Sequence, residues 1–178
     1  MKRLAIAVSA LALLSAPAFG QAETAEAGAS AAMIDTDGNN VGTVTFRQAA
    51  SGILHIFVEM TDMPAGPRGF HIHETGECNP EDGFESAGGH FAVGEEEHGI
   101  HNASGPHAGD LPNVHIGQDG ILRVEFFTER LSLDEGAENG LLGGEGKAVI
   151  VHESPDDYAT HPTGEAGDRI ACGVIEPV

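Results

Sequence analysis

Apolar and polar residues alternate with a period of two over several short stretches of this chain. Val41 to Phe46 alternates behind the turn Asp37-Gly38-Asn39-Asn40, and Ile53 to Met60 does so behind Ser51-Gly52. Alternation of this kind sends successive side chains to opposite faces of a strand, one toward a core and one toward water. Asn113 to Ile116, the turn Gln118-Asp119-Gly120 and the run Ile121 to Phe127 read as a hairpin. Gly69 to Glu74 reads as a strand end, and Gly146 to Val151 and Ile170 to Ile175 as the last two strands. No long helical period interrupts the series. Short strands joined by Gly/Asp turns predict an all-β fold, an antiparallel β-sandwich or barrel.

Two stretches lack any strand pattern: residues 75–109, rich in Gly, Glu and His, and residues 153–168, rich in Asp, Pro, Thr and Gly. Loops of that length inside a compact domain are generally functional. The beginning of the chain has a different character. Lys2 and Arg3 precede an apolar run from Leu4 to Leu14, and small residues follow at Ala16, Ala18, Gly20 and Ala22. That pattern predicts a secretory signal peptide over residues 1–22, too short in its apolar run to span a membrane. Residues 23–30 are expected to form a flexible leader, and residues 31–178 a single domain.

Export changes the reading of the charge and of the cysteines. The formal charge is −20, and losing Lys2 and Arg3 leaves a mature chain at about −22. Nucleic-acid and anionic-membrane partners are therefore not expected. Cys78 and Cys172 are the two cysteines. They allow one intramolecular pairing, which an oxidising compartment would form.

The chemistry is concentrated in the histidines. His71, His73, His90, His98, His107, Asp110 and His152 occur in that order, and they include six of the 10 histidines. Imidazole suits zinc and copper, and a carboxylate can complete a tetrahedral zinc site. Seven ligands exceed what one four-coordinate ion takes, whereas two neighbouring ions sharing one ligand would use them all. His71 and His73, two apart on a strand, face the same way and can hold one ion together.

This ligand series, with Gly69-Phe70-His71-Ile72-His73-Glu74, Gly88-Gly89-His90-Phe91, Pro106-His107-Ala108-Gly109-Asp110, Val149-Ile150-Val151-His152 and Gly167-Asp168-Arg169-Ile170-Ala171-Cys172-Gly173, resembles the copper/zinc superoxide dismutases in their bacterial secreted form. The resemblance covers about residues 31–178. It implies a Greek-key barrel with two long functional loops, in a periplasmic or secreted protein. It implies copper on His71, His73, His90 and His152, and zinc on His90, His98, His107 and Asp110, with His90 bridging. His101 competes with His98 for its place.

The activity it implies is conversion of superoxide to dioxygen and hydrogen peroxide, with copper cycling between Cu(II) and Cu(I) and His90 delivering a proton. Arg169 would guide the anion, and Thr163 would narrow the channel opposite it. Asp156, with Asp157 as the alternative, would accept N–H bonds from His71 and His98. The matching cystine, Cys78–Cys172, would pin the first loop to the barrel. The resemblance admits a homodimer as well as a monomer. His55, His115 and His161 have no position in the motif, and the second loop has no match for the lysines that steer superoxide in animal relatives. A metal buffer on the same fold is the competing reading; the complete copper set together with Arg169 favours the enzyme.

Overall fold

A computed structural model describes residues 28–178, so the signal segment 1–22 and most of the leader lie outside the described residues. The strands are β1 (Gly28–Asp35), β2 (Asn40–Gln48), β3 (Leu54–Met60), β4 (Gly66–Arg68), β5 (Phe70–His73), β6 (Val114–Ile116), β7 (Leu122–Thr128), β8 (Ala148–His152) and β9 (Arg169–Pro177). Among the described residues the only helical pieces are two single 3-10 turns, Pro80–Asp82 and Glu85–Ala87. Seven strands form one antiparallel sheet in the order β5-β8-β9-β1-β2-β3-β7, and β4 pairs with β6. The sheet curls around one core that draws Met33, Phe46, Ile56, Phe70 and Val151 from five different strands.

Two elements depart from the sequence reading. Gly28 to Ser30, expected in the leader, are the first residues of β1, which pairs with both β2 and β9. Its inward residues include Ala29 and Ala31, and its outward ones Ser30 and Ala32, so the alternation carries little hydrophobic contrast. The expected hairpin is the second departure. Gly117 N–H does bond Ile121 C=O across the turn, but the two strands then part. β6 pairs with β4, while β7 pairs with β3 from Leu54↔Thr128 to Met60↔Leu122.

The site is positioned by β5 and β8. They pair antiparallel, with His71 opposite Ile150 and His73 opposite Ala148. Phe70, Ile72, Val149 and Val151 point into the barrel core. Alternation then sends His71, His73 and His152 to the other face. That face is not wet. Phe84, Ala87, Ala148, Ile150 and Cys172 form a second apolar cluster there, under the loop after β5. Burial on both faces explains the unbroken apolar run of β8.

The Cys78–Cys172 disulfide ties that loop to β9 across 94 residues, with Cα atoms 5.7 Å apart. Closing a loop of that length removes about 4–5 kcal/mol of unfolded-chain entropy.

Candidate metal centre

All seven predicted ligands come together, and all seven are buried. His71, His73, His90 and His152 form one group and His90, His98, His107 and Asp110 a second; within each, the ligand atoms lie within 4.8 Å of one another. His90 belongs to both.

In the first group each ring has one nitrogen engaged and one without a partner. His73 Nδ1–H donates to Gly88 C=O at 3.0 Å and His152 Nδ1–H to Gly167 C=O at 3.2 Å. His71 Nε2–H donates to Asp156 Oδ2 at 2.9 Å. His90 Nδ1 faces Asp110 Oδ1 at 2.9 Å. Among the described residues, the buried side-chain polar atoms without a hydrogen-bond partner are His71 Nδ1, His73 Nε2, His90 Nε2 and His152 Nε2. Four orphaned nitrogens in one buried spot would each cost free energy unless something binds them. A cation that prefers imidazole fits that set.

The second group is gathered on one oxygen. Asp110 Oδ1 stands 2.9 Å from His90 Nδ1, 3.1 Å from His98 Nδ1 and 3.2 Å from His107 Nδ1. Ligand atoms about 2.0 Å from a tetrahedral zinc ion are about 3.3 Å apart, so this spacing fits zinc. Asp110 Oδ2 is held by the N–H groups of Gly99 and His107, which leaves Oδ1 for the rings.

Asp156 joins the two groups, accepting from His71 on Oδ2 and from His98 Nε2 on Oδ1, each at 2.9 Å. The neighbouring Asp157 is exposed and caps the turn at Ala159 and Thr160 instead. His101 is likewise exposed, outside both groups. His161 belongs to neither group but lies beside the second, its Nδ1 accepting the His98 backbone N–H at 3.1 Å and its ring centroid 5.9 Å from that of His107.

Two contributors around Asp156 were not visible in the spacing. Asn113 accepts the Asp156 N–H and donates to the Asp156 carbonyl, fixing that backbone from both sides. Gly164, at φ 67°, packs so close that a Cβ would collide with the Asp156 carboxylate and the His98 ring.

The electrostatics prepare the first group for a metal. Burial, then the neighbouring rings, pushes His152 down to about 3 and His90 down to about 4, and it lowers His73 as well. These rings are therefore neutral at neutral pH, the form that binds metal. Burial also disfavours a charged His98, but the bonds to Asp110 and Asp156 outweigh it and push the metal-free ring up to about 9. Against their own burial, bonds from His90 and His98 hold the Asp110 carboxylate well below the usual range, and bonds from His71 and His98 do the same for Asp156.

Arg169 lies beside the first group, donating to Phe84 C=O at 2.6 Å and Gly88 C=O at 2.8 Å. With His152 and Thr163 it lines a cleft of about 650 Å³. Asp82, Glu85, Glu153 and Asp168 line the same cleft, and Glu85 approaches the guanidinium to 3.7 Å.

A β-barrel with two buried four-ligand groups joined through one imidazole defines a binuclear metalloprotein. Residues 40–175 match the family model for copper/zinc superoxide dismutase, and the chain belongs to that family. It is 39% identical to superoxide dismutase [Cu-Zn] 2 of Aquifex aeolicus over 175 residues, covering 98% of this chain and 99% of that one. It is 41% identical to superoxide dismutase [Cu-Zn] 1 of the same organism over 145 residues, 81% of this chain and 85% of that one. Among solved structures, a SOD-like protein from Bacillus subtilis superposes with a TM-score of 0.77 at 39% identity, covering 82% of this chain and 96% of that one. The protein is an oxidoreductase that dismutes superoxide, with copper and zinc as cofactors.

Proposed function

We propose that the four-histidine group, His71, His73, His90 and His152, holds copper and that His90, His98, His107 and Asp110 hold zinc. The single observation that carries this is the set of four orphaned ring nitrogens, one on each proposed copper ligand. His90 has Nε2 free toward the first group and Nδ1 facing Asp110 in the second, so its ring is the one placed to bridge.

When bound, copper supplies the one-electron redox step and zinc a fixed positive charge without redox chemistry. The overall reaction takes two superoxides and two protons to one dioxygen and one hydrogen peroxide. The chain's own residues supply position and protons. Arg169 is always charged and is braced by two carbonyls, so it can present its donors to a small anion beside His152 and His73. Thr163 narrows the opposite side of the cleft. His90 Nε2 is the proton-carrying atom, turned toward the copper ligands while Nδ1 stays with the zinc group. Asp156 holds the His71 and His98 rings in the tautomers that leave their Nδ1 atoms for metal.

The disulfide belongs in an oxidising compartment. Together with bacterial relatives of the same family and the predicted signal segment, it supports a periplasmic or secreted location.

His152→Ala is the test of the copper assignment. It removes one orphaned nitrogen and leaves the zinc group and the disulfide intact. We expect a folded, zinc-binding protein without dismutation. A copper- and zinc-reconstituted variant with near wild-type activity would refute the assignment.

A further inference from the structure

Arg130 lies outside every ligand motif, yet it reaches the zinc group. Its Nη1 donates to the carbonyl of His107 at 3.1 Å and its Nη2 to the carbonyl of Asp110 at 2.7 Å. Its own backbone N–H is tied to Thr128 Oγ1 at the end of β7. Inside the 107–110 turn, the Asp110 N–H also bonds the His107 carbonyl, and the His107 N–H bonds Asp110 Oδ2. The guanidinium therefore closes the turn from outside while the carboxylate closes it from inside. The segment it grips lies outside the named strands and helices, and Gly109 in its middle is tied by backbone bonds to Ile72 of β5 and to Phe91, which leaves the His107 and Asp110 carbonyls to the guanidinium.

We propose that Arg130 is a positioning residue for zinc: its planar fork sets the separation and orientation of His107 and Asp110 before the ion arrives. A rigid fork matched to two carbonyls loses little freedom on binding them, which a flexible ammonium would not reproduce. The proposal rests on the zinc assignment made above.

The test is zinc affinity of the oxidised, metal-stripped protein, measured by competition with a chromophoric chelator. Asp110→Ala serves as the reference, and the melting temperature of each metal-free variant is recorded alongside. Groups that orient metal ligands typically contribute about 10–100-fold in affinity, so Arg130→Ala should bind zinc about that much more weakly. Arg130→Lys, which keeps the charge and loses the fork, should fall between it and wild type. Cobalt(II) in the same site should give a visible spectrum shifted in Arg130→Ala.

If Asp110→Ala weakens zinc binding and Arg130→Ala stays within twofold of wild type, the proposal is overturned and the zinc assignment stands. A lower metal-free melting temperature with unchanged zinc affinity overturns it too, since that is a purely structural role. If neither variant changes the affinity, the zinc assignment fails and takes the proposal with it. Should Arg130→Ala not fold, Arg130→Gln, which keeps one donor, is read in the same way.

Discussion

Single side chains explain why this site is both a metal trap and a source of pH sensitivity. In the metal-free protein His98 has a folded value of about 9 against 6.5 unfolded, raised by Asp110 and Asp156 despite its burial. Its contribution to stability is fully present below pH 6.5 and is lost as pH rises through 9. His90 and His152 have the opposite sign. Their folded values, about 4 and about 3, lie below 6.5, so their contribution is present above pH 6.5 and is lost as pH falls toward those values.

The metal-free protein should therefore lose stability on both sides of neutrality, and melting temperature against pH would show it. Zinc takes the place of the His98 proton, so loading at pH 7 should release protons to an unbuffered solution, and the alkaline loss of stability should vanish. A metal-free melting temperature flat from pH 7 to 10 would contradict the His98 account. Asp110→Ala belongs at the same scale: it removes the oxygen shared by three rings. It should lower zinc affinity and melting temperature more than it lowers the rate of the copper-loaded enzyme. Equal melting temperatures of variant and wild type with zinc in excess would argue the other way.

Among the elements, the strands carry rigidity and the loops carry ligands. His71, His73 and His152 sit on β5 and β8, where pairing fixes their directions, while His90, His98, His107 and Asp110 come from a stretch without strands. Metal binding energy is then folding energy for that stretch. Hydrogen exchange should show residues 90–110 and 153–168 strongly protected in the metal-loaded protein and markedly less so after chelation, with β2 and β3 unchanged. Protection of those loops that is indifferent to metal would mean that side-chain packing alone orders them.

This division also explains what the sequence could disclose. The ligands were legible because metal chemistry restricts residue type and spacing, and His-x-His on a strand has a geometric meaning. Asn113 and Arg130 were not, because each acts on backbone groups that only the tertiary fold brings near. β1 escaped because its alanines give alternation no contrast. The β6–β7 hairpin failed because a tight turn fixes local reversal and does not decide which strand becomes the hydrogen-bonded neighbour.

On the scale of the whole molecule, charge opposes the reaction. A chain of formal charge −20 must attract an anion, and carboxylates of Asp82, Glu85, Glu153 and Asp168 rim the cleft where Arg169 waits. The local and global fields have opposite signs. At about 0.15 M ionic strength the Debye length is roughly 8 Å, so distant repulsion is screened while Arg169 acts at contact. The second-order rate should be flat or rise between low and physiological salt. Arg169→Glu should lower it at least tenfold, about 1.4 kcal/mol of barrier. A steep fall of the wild-type rate with salt would reveal a positive field beyond that of Arg169.

The central claim is that one imidazole joins a four-histidine copper site to a zinc site and that the pair dismutes superoxide. Metal content and dismutation rate, measured on the same purified and reconstituted sample, test it most directly. The account predicts one copper and one zinc per chain, with activity that rises in proportion to bound copper and is absent from the zinc-only protein. A folded protein that binds both ions in that ratio and does not dismute superoxide, or that is equally active without copper, would contradict it.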